Sequence, residues 1–255
     1  MRAAPGRRAA PLGLGLRRWP DVPRDRTLVL VPVGSVEQHG PHLPLATDTM
    51  VADVVCRMAG ERLDGTGTRV LVAPPLSYGA SGEHEGFPGT VSIGHEALFG
   101  LLVELGRSAT RWAQGVILVS GHGGNVATLT EAVALLRHEG RAVAWTSTAL
   151  PGSDAHAGDT ETSLLRHLAP WSVRVDLMAV GVTEPVGELM PRLHEHGVIG
   201  VSPNGVLGDP TTSSAERGRE LLGRLVGNLV DELAVLDVAD DGRLSGSSRD
   251  PMDAP

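Results

Sequence analysis

Short runs of apolar residues alternate along the chain with longer segments in which apolar residues recur every three or four positions. The short runs are rich in valine and predict buried strands, whereas the longer periodicity predicts amphipathic helices. The predicted strands are residues 27–32, 69–73, 116–119 and 142–146. The predicted helices are residues 50–63, 96–113, 127–138, a segment through Leu164, Leu165 and Leu168, and 215–236. This alternation predicts an α/β fold, a three-layer α/β/α sandwich with a mostly parallel central sheet.

The rest of the pattern sets the predicted limits of the domain. Residues 173–176 and 179–182 are expected to add short strands, and no internal repeat or linker divides the chain. We therefore expect one domain over residues 25–237. Residues 1–24 are rich in Arg, Ala, Gly and Pro without the apolar core of a secretory signal, and residues 238–255 are rich in Asp, Ser and Gly. Both ends are expected to be disordered.

Composition and charge exclude several classes of function. The 255 residues are 41% hydrophobic and carry a net charge of −8, with no basic cluster beyond the first 26 residues, which argues against a nucleic-acid partner. No apolar run approaches the roughly 20 residues of a membrane span. The single cysteine, Cys56, cannot form an internal disulfide, so a cytoplasmic location is expected.

Polar residues gather where three of the predicted strands end. Glu37, His39 and Asp48 follow the first strand, His122 follows the third, and the polar segment 154–163 follows the fourth. Because the carboxyl ends of parallel strands meet at one edge of a sheet, these side chains are expected to lie near one another. Their oxygen and nitrogen atoms are the ligands that zinc, iron(II) and manganese prefer. The alternative is an ordinary polar loop after a strand, which would suffice for any one of these residues alone.

Two further sets of polar residues each leave two interpretations open. Glu83, His84 and Glu85 lie in the Gly-rich segment 77–90 and either contact substrate or form a solvated loop tip. Asn125, a candidate substrate-binding residue, either donates a hydrogen bond to an oxyanion or caps the following helix. No Gly-x-Ser-x-Gly sequence is present, and the cysteine lies in a predicted helix, so a serine or cysteine nucleophile is disfavoured.

Three sequences together resemble the signature motifs of the creatininase family. They are GSVEQHGPHLPL at residues 34–45, GHGGN at 121–125 and HAGDTETS at 156–163, and the resemblance extends over about residues 25–236. The resemblance implies a metal-dependent amidohydrolase with an α/β/α fold that assembles as a homo-oligomer, usually a hexamer. It also implies two divalent metal ions held by Glu37, His39, Asp48 and His122, with Asp48 as the bridge.

One position departs from creatininase itself, which has a glutamate ligand where this chain has Gly124. We expect Glu161 to complete the second metal site in its place, and creatinine is then a disfavoured substrate. His156 is the candidate to protonate the leaving amine, and its alternative role is to orient another residue. The catalytic pair predicted from the resemblance is therefore His156 and Glu161.

Within the family, the chain most resembles a peptidase subgroup of mycofactocin biosynthesis that removes a C-terminal Val-Tyr dipeptide from a modified precursor peptide. The sequence GEHEGFPGT at residues 82–90 supports this resemblance. The alternatives are hydrolysis of a small cyclic amide or formamide, and a metal-binding scaffold without activity. Zinc, iron(II) and manganese remain open as the metal, because they share these ligands.

Overall fold

Four parallel strands form the central sheet of the computed structural model, which describes residues 12–24 and 26–245. In the spatial order β2-β1-β3-β4, Leu28 of β1 is aligned with Val70 of β2 and Gly115 of β3. Residues 28–33 are all buried, because helices cover both faces of a parallel sheet. The strands are β1 Leu28–Val33, β2 Val70–Val72, β3 Gly115–Ser120 and β4 Val143–Ser147.

Helices cover the sheet in two layers, as the alternation predicted. Leu28 and Leu30 of β1 pack with α1, α4 and α6, whereas Val29 and Val31 face the opposite side and pack with α2 and α3. This division follows from the twofold alternation of side chains along a strand. The three-layer α/β/α prediction is confirmed. The helices are α1 Thr47–Leu63, α2 Gly94–Ala109, α3 Val126–His138, α4 Asp159–Leu168, α5 Val186–Val201 and α6 Ala215–Val235.

The segment between α4 and α6 differs from its prediction. The prediction of two short strands over residues 173–176 and 179–182 is wrong. Residues 175–177 form a 3-10 turn, and the backbone N–H groups of Gly181 and Val182 donate to the carbonyls of Gly208 and Val206 in a neighbouring loop. The backbone of this segment is therefore satisfied by loops outside the sheet.

Helix α5 was not predicted, because glycine and proline interrupt its pattern. Pro191 lies inside it, and Gly197 has φ 63° and ψ −179°, so the helix is kinked there. Glycine tolerates a positive φ that other residues rarely adopt. Residues on both sides of the kink line the cavity described below.

Both ends of the described chain pack against the edges of the sheet, which differs from the disorder expected for residues 12–24 and 238–245. Val72 of edge strand β2 donates to the carbonyl of Leu12. At the other edge, Trp145 of β4 donates to Gly242, which lies between two short strands, β5 Asp237–Val238 and β6 Leu244–Ser245. Covering an edge satisfies backbone groups that would otherwise lack partners. The remainder of the two expected extensions, residues 1–11 and 246–255, lies outside the described residues.

None of the helices in residues 12–24 and 26–245 has the length and apolar character needed to cross a bilayer.

Candidate metal centre

Two glycines at strand ends bring the first turn of α1 against the carboxyl edge of the sheet. A Cβ atom on Gly34, directly after β1, would lie 2.5 Å from Cα of Thr49, and one on Gly121, directly after β3, would lie 2.4 Å from the backbone oxygen of Asp48. Neither position has room for a side chain. As a result, Asp48 of α1 lies between the loops that follow the two central strands.

Asp48 contacts a different histidine with each carboxylate oxygen. Oδ1 lies 3.0 Å from Nε2 of His39, and Oδ2 lies 3.5 Å from Nδ1 of His122. The His39 ring is oriented by its other nitrogen, since Nδ1 lies 3.1 Å from the carbonyl oxygen of Glu37 and donates to it. A carboxylate between two imidazoles is the arrangement expected of a ligand that bridges two metal ions.

Glu37 is fully buried, and three histidines surround one of its oxygens. Oε1 lies 3.2 Å from Nδ1 of His122, 3.2 Å from Nε2 of His84 and 3.7 Å from Nδ1 of His156. These are ion-pair distances, yet in the described part of the chain neither oxygen of Glu37 accepts a geometrically sound hydrogen bond, and Oδ2 of Asp48 also lacks one. Buried carboxylate oxygens are costly without a partner. Oxygen and nitrogen atoms that converge without hydrogen bonding are suited to a divalent cation.

Glu161 lies in the first turn of α4, on the far side of His39. Its Oε2 accepts a hydrogen bond from the backbone N–H of Ala157 at 2.6 Å and lies 3.9 Å from Nε2 of His39. His39, Asp48 and Glu161 therefore form one of the groups that could hold a metal ion. Asp159, two residues earlier, faces outward and pairs with Arg217, so it is not free to replace Glu161.

The charges of these groups depend on one another. Burial alone would lower the pKa of His39, but the carboxylates of Asp48 and Glu161 raise it to about 10. Burial raises the pKa of Glu161 to about 7, although His39 partly offsets this effect. Burial would raise the pKa of Glu37, but nearby His122 lowers it well below its ordinary value. In the metal-free centre, protons on histidine thus compensate buried carboxylates, and a metal ion would replace those protons.

Gln38 fixes the protonation pattern of His84 and His156, and sequence reasoning missed it. Its Oε1 accepts from Gly40 N–H at 2.8 Å, which identifies the opposite atom as the amide nitrogen. That nitrogen lies 2.9 Å from Nδ1 of His84, 3.1 Å from the carbonyl oxygen of Gly205 and 3.0 Å from Nε2 of His156. Because Nε2 of His156 carries its own proton toward the carbonyl of Gln38, the two amide hydrogens are donated to His84 and Gly205. His84 therefore accepts at Nδ1, and its proton is on Nε2, which faces Glu37.

His156 has its proton on the same nitrogen, but its ring has the opposite orientation toward the centre. Its Nε2 lies 2.7 Å from the backbone oxygen of Gln38, and because a carbonyl can only accept, Nε2 is protonated. The unprotonated Nδ1 then faces Glu37 inside the centre. Burial lowers the pKa of His156 well below its ordinary value, and His39 and His84 lower it further. The lowered pKa keeps His156 neutral, so its unprotonated Nδ1 is available in the site, and Glu37, His39 and His156 also form a group that could hold a metal ion.

The loop predicted to contact substrate divides into buried and exposed residues. His84 is buried in the centre, and Glu83 contacts the outer nitrogen of His122, with Oε1 3.2 Å from Nε2. Glu85, by contrast, is exposed. The solvated-tip interpretation therefore describes Glu85 alone.

The structure corrects both interpretations of Asn125. Its side chain makes no capping hydrogen bond to α3 and is fully buried. Its Oδ1 accepts from Ala80 N–H at 2.9 Å, and its Nδ2 donates to the carbonyl of Gly34 at 3.0 Å. Asn125 joins the loop after β1 to the segment around Ala80, so it supports the site and does not face a ligand.

A cavity of about 800 Å³ opens beside the centre. Its lining includes Glu83, His84, His122 and His156 from the centre together with residues of α5. This volume lies in the range of sites for small organic ligands and short peptide segments. The apolar residues of α5 in this lining are Val186, Met190, Leu193 and Val198.

Comparisons with known proteins identify the family of the chain. A family model described as "Creatininase: Creatinine amidohydrolase" matches residues 16–233. A relative from Mycolicibacterium smegmatis, named "Mycofactocin precursor peptide peptidase", is 51% identical over 226 residues, which cover 88% of this chain and 92% of the relative. A solved Trp-to-Phe variant of creatininase has a TM-score of 0.76 at 25% identity and covers 89% of this chain and 99% of its own. A Glu-to-Gln variant of creatininase of Zn–Zn type has a TM-score of 0.74 at 25% identity, over 88% of this chain and 98% of its own. The chain belongs to the creatininase family of metal-dependent amidohydrolases.

Proposed function

We propose that the chain is a peptidase that uses two divalent metal ions at this centre. The observation that carries the proposal is the position of Asp48, with Oδ1 toward His39 and Oδ2 toward His122. One ion would be held by Glu37, Asp48 and His122, and the other by His39, Asp48 and Glu161. Three carboxylates offset most of the charge of two dications, which favours binding of both ions together.

The metal ions and the protein contribute different parts of the chemistry. Two divalent ions in such a centre polarise an amide carbonyl and make water a nucleophile at neutral pH. Zinc, iron(II) and manganese all suit the ligand set of carboxylate and imidazole.

His156 moves the proton in this proposal. Its Nε2 is held by the carbonyl of Gln38, and its unprotonated Nδ1 faces the centre. Nδ1 accepts the proton released by the attacking water and then donates it to the nitrogen of the leaving amine. The same histidine thus acts first as a base and then as an acid. His84 presents an N–H to the same region, so it can donate a hydrogen bond to the substrate or to Glu37.

The proposed substrate is a precursor peptide from which a C-terminal Val-Tyr dipeptide is removed. The identity of 51% to a mycofactocin precursor peptide peptidase supports this substrate. The cavity supports it as well, because about 800 Å³ beside an apolar helix can accept two residues with apolar side chains.

The proposal also includes a cytoplasmic homo-oligomer, a hexamer by family resemblance, without a nucleic-acid partner. The side chains of Trp19 and Trp171 are 87% and 83% exposed, and large exposed aromatic groups are enriched at protein interfaces. Light scattering coupled to size-exclusion chromatography would measure the number of copies.

The function is tested with purified protein, elemental analysis and a synthetic peptide that ends in Val-Tyr. We expect two metal ions per chain and release of free Val-Tyr, detected by mass spectrometry. Asp48→Ala serves as the control and is expected to lack both metal ions and activity. A metal-loaded enzyme that leaves the peptide intact but hydrolyses formamides or cyclic amides would replace the peptidase proposal with the small-amide alternative. A protein without bound metal and without either activity would favour the inactive scaffold.

A further inference from the structure

The side of His122 that faces away from the proposed metal ions contacts a carboxylate that has no assigned role there. Nδ1 of His122 faces Glu37 and Asp48, whereas Nε2 lies 3.2 Å from Oε1 of Glu83 and 3.1 Å from the carbonyl oxygen of Ala80. We propose that Glu83 is a positioning residue that orients His122 for metal binding, and that position 124 is glycine because the Glu83 carboxylate occupies the space beside it. The inference rests on the proposed metal centre.

The chemistry of imidazole gives the first argument. A neutral histidine that binds a metal through Nδ1 must have its proton on Nε2, and that N–H requires an acceptor inside the protein. The carbonyl oxygen of Ala80 accepts the hydrogen bond of Nε2 at 3.1 Å, and the charged carboxylate of Glu83 lies beside the same nitrogen at 3.2 Å. A carboxylate beside the outer nitrogen stabilises the proton there, which helps to fix the ring and makes the inner nitrogen a stronger ligand.

The space around Gly124 gives a second, independent argument. A Cβ atom at this position would lie 2.4 Å from Nε2 of His122, 2.6 Å from Oε1 of Glu83 and 2.7 Å from the carbonyl oxygen of Ala80. All three atoms belong to the same contact. Any side chain at residue 124 must therefore displace the Glu83 carboxylate or turn the His122 ring.

This geometry distinguishes the positioning role of Glu83 from the substrate contact that the sequence predicted for it. Glu83 lines the cavity and its side chain is about one third exposed, so it could still lie near a bound peptide. Its Oε1, however, is directed to a buried histidine that faces two proposed metal ligands. A residue that contacted only substrate would leave metal binding unchanged, and Glu83 is expected to change it.

The test measures binding of Co²⁺ and Zn²⁺ to the full-length, metal-free protein by competition with a chromophoric chelator. We expect Glu83→Ala to weaken the site that includes His122 roughly 10- to 100-fold, as is typical when an outer partner of a ligating histidine is removed. The visible absorption of bound Co²⁺ should change as well, because the ring is reoriented. Glu83→Gln keeps an amide oxygen near Nε2 and should lose less affinity than Glu83→Ala.

Gly124→Ala is the second variant, and it should weaken the same site although it removes no charge. The double variant Glu83→Ala/Gly124→Ala should bind no more weakly than the weaker of the two single variants, because both act on one contact. Glu85→Gln is the matched control, since it removes the same charge from an exposed position in the same loop without contacting His122. It should keep the wild-type affinity.

Wild-type Co²⁺ affinity and absorption in folded Glu83→Ala and Glu83→Gln would overturn the inference while leaving the metal centre intact. An equal loss in Glu85→Gln would also overturn it, because general charge would then explain the effect. If the wild-type protein binds no metal, the proposed function fails and this inference fails with it. Thermal unfolding of each metal-free variant identifies any that do not fold. If the Glu83 variants do not fold, the metal affinity of Gly124→Ala decides whether the contact between Glu83 and His122 supports metal binding, because this variant changes no charge.

Discussion

Gly121 links the sheet to the candidate metal centre, and its replacement by alanine tests how closely the two are coupled. The residue directly follows β3, where the first turn of α1 approaches the sheet. An alanine Cβ would lie 2.4 Å from the backbone oxygen of Asp48, 3.0 Å from its carbonyl carbon and 3.2 Å from its Cα. All of these atoms are backbone, so no rotation of a side chain can relieve the contact.

The magnitude of the effect follows from these distances. An ordinary contact begins at 3.4 Å, so the first turn of α1 must move by about 1 Å. Overpacking of this kind costs about 1–3 kcal/mol of unfolding free energy. For a chain of this size the melting temperature should fall by about 2–4 °C for each kcal/mol. Because Asp48 moves with its backbone, kcat/KM should fall roughly 100-fold, as expected for a displacement of about 1 Å in a catalytic site.

The assay compares Gly121→Ala with Gly123→Ala, two residues further along the chain. A Cβ atom on Gly123 would meet nothing within 4 Å, so this variant has the same chemical change without the collision. Melting temperature is measured on metal-free protein, and metal affinity by competition with a chelator. If both variants show the same stability and the same affinity, the first turn of α1 is not held by this backbone contact, and the reasoning is refuted.

Three further predictions concern the centre itself. His156→Gln should retain both metal ions by elemental analysis and lose roughly 10²- to 10⁴-fold in kcat, the usual range for a general acid or base; loss of metal would instead place His156 among the ligands. Glu161→Gln should weaken the ion held with His39 and leave the ion at His122 in place, so a metal titration that shows two equally tight ions would contradict its assignment. Metal affinity at the His39 site should rise with pH, because His39, with a pKa of about 10, is protonated in the metal-free protein at neutral pH and must release that proton on binding. Release of one proton raises the apparent affinity about tenfold for each pH unit. Below neutral pH, Glu161, with a pKa of about 7, must release a second proton, so the dependence becomes steeper there. An affinity independent of pH would contradict this account.

The layers of the fold could be predicted because each depends on a local pattern. A strand such as β1, buried on both faces, is apolar throughout, and the helices show an apolar stripe. Helix α5 could not be predicted in this way, since Pro191 and Gly197 interrupt its pattern and its apolar residues face a cavity. The short segments at 173–176 and 179–182 were misassigned, because four residues are too few to distinguish a strand from a loop, and most of these residues are exposed.

The candidate ligands could also be anticipated, because they follow strands whose ends must share one edge of a parallel sheet. Glu37, Asp48 and His122 all lie at that edge. The roles of Glu83 and Asn125 could not be anticipated, since they depend on contacts between loops that are distant in sequence. Ala80 N–H, for example, reaches Asn125 across 45 residues. No local pattern contains that information.

The division of roles between His84 and His156 depends on one residue placed between two candidate ligands. Gln38 donates from its side chain to His84 and accepts from His156 with its backbone carbonyl, so the two rings have their protons on Nε2 for different reasons. His84 thereby presents an N–H to Glu37 through Nε2, whereas His156 presents an unprotonated Nδ1. Two chemically identical side chains at one carboxylate thus become a hydrogen-bond donor and a proton acceptor. The Gln38 amide is itself fixed by Gly40 and Gly205, and a Cβ atom on Gly205 would lie 2.0 Å from its Oε1. The loop at Gly205 therefore helps to hold the Gln38 amide in place, although it contributes no side chain to the centre.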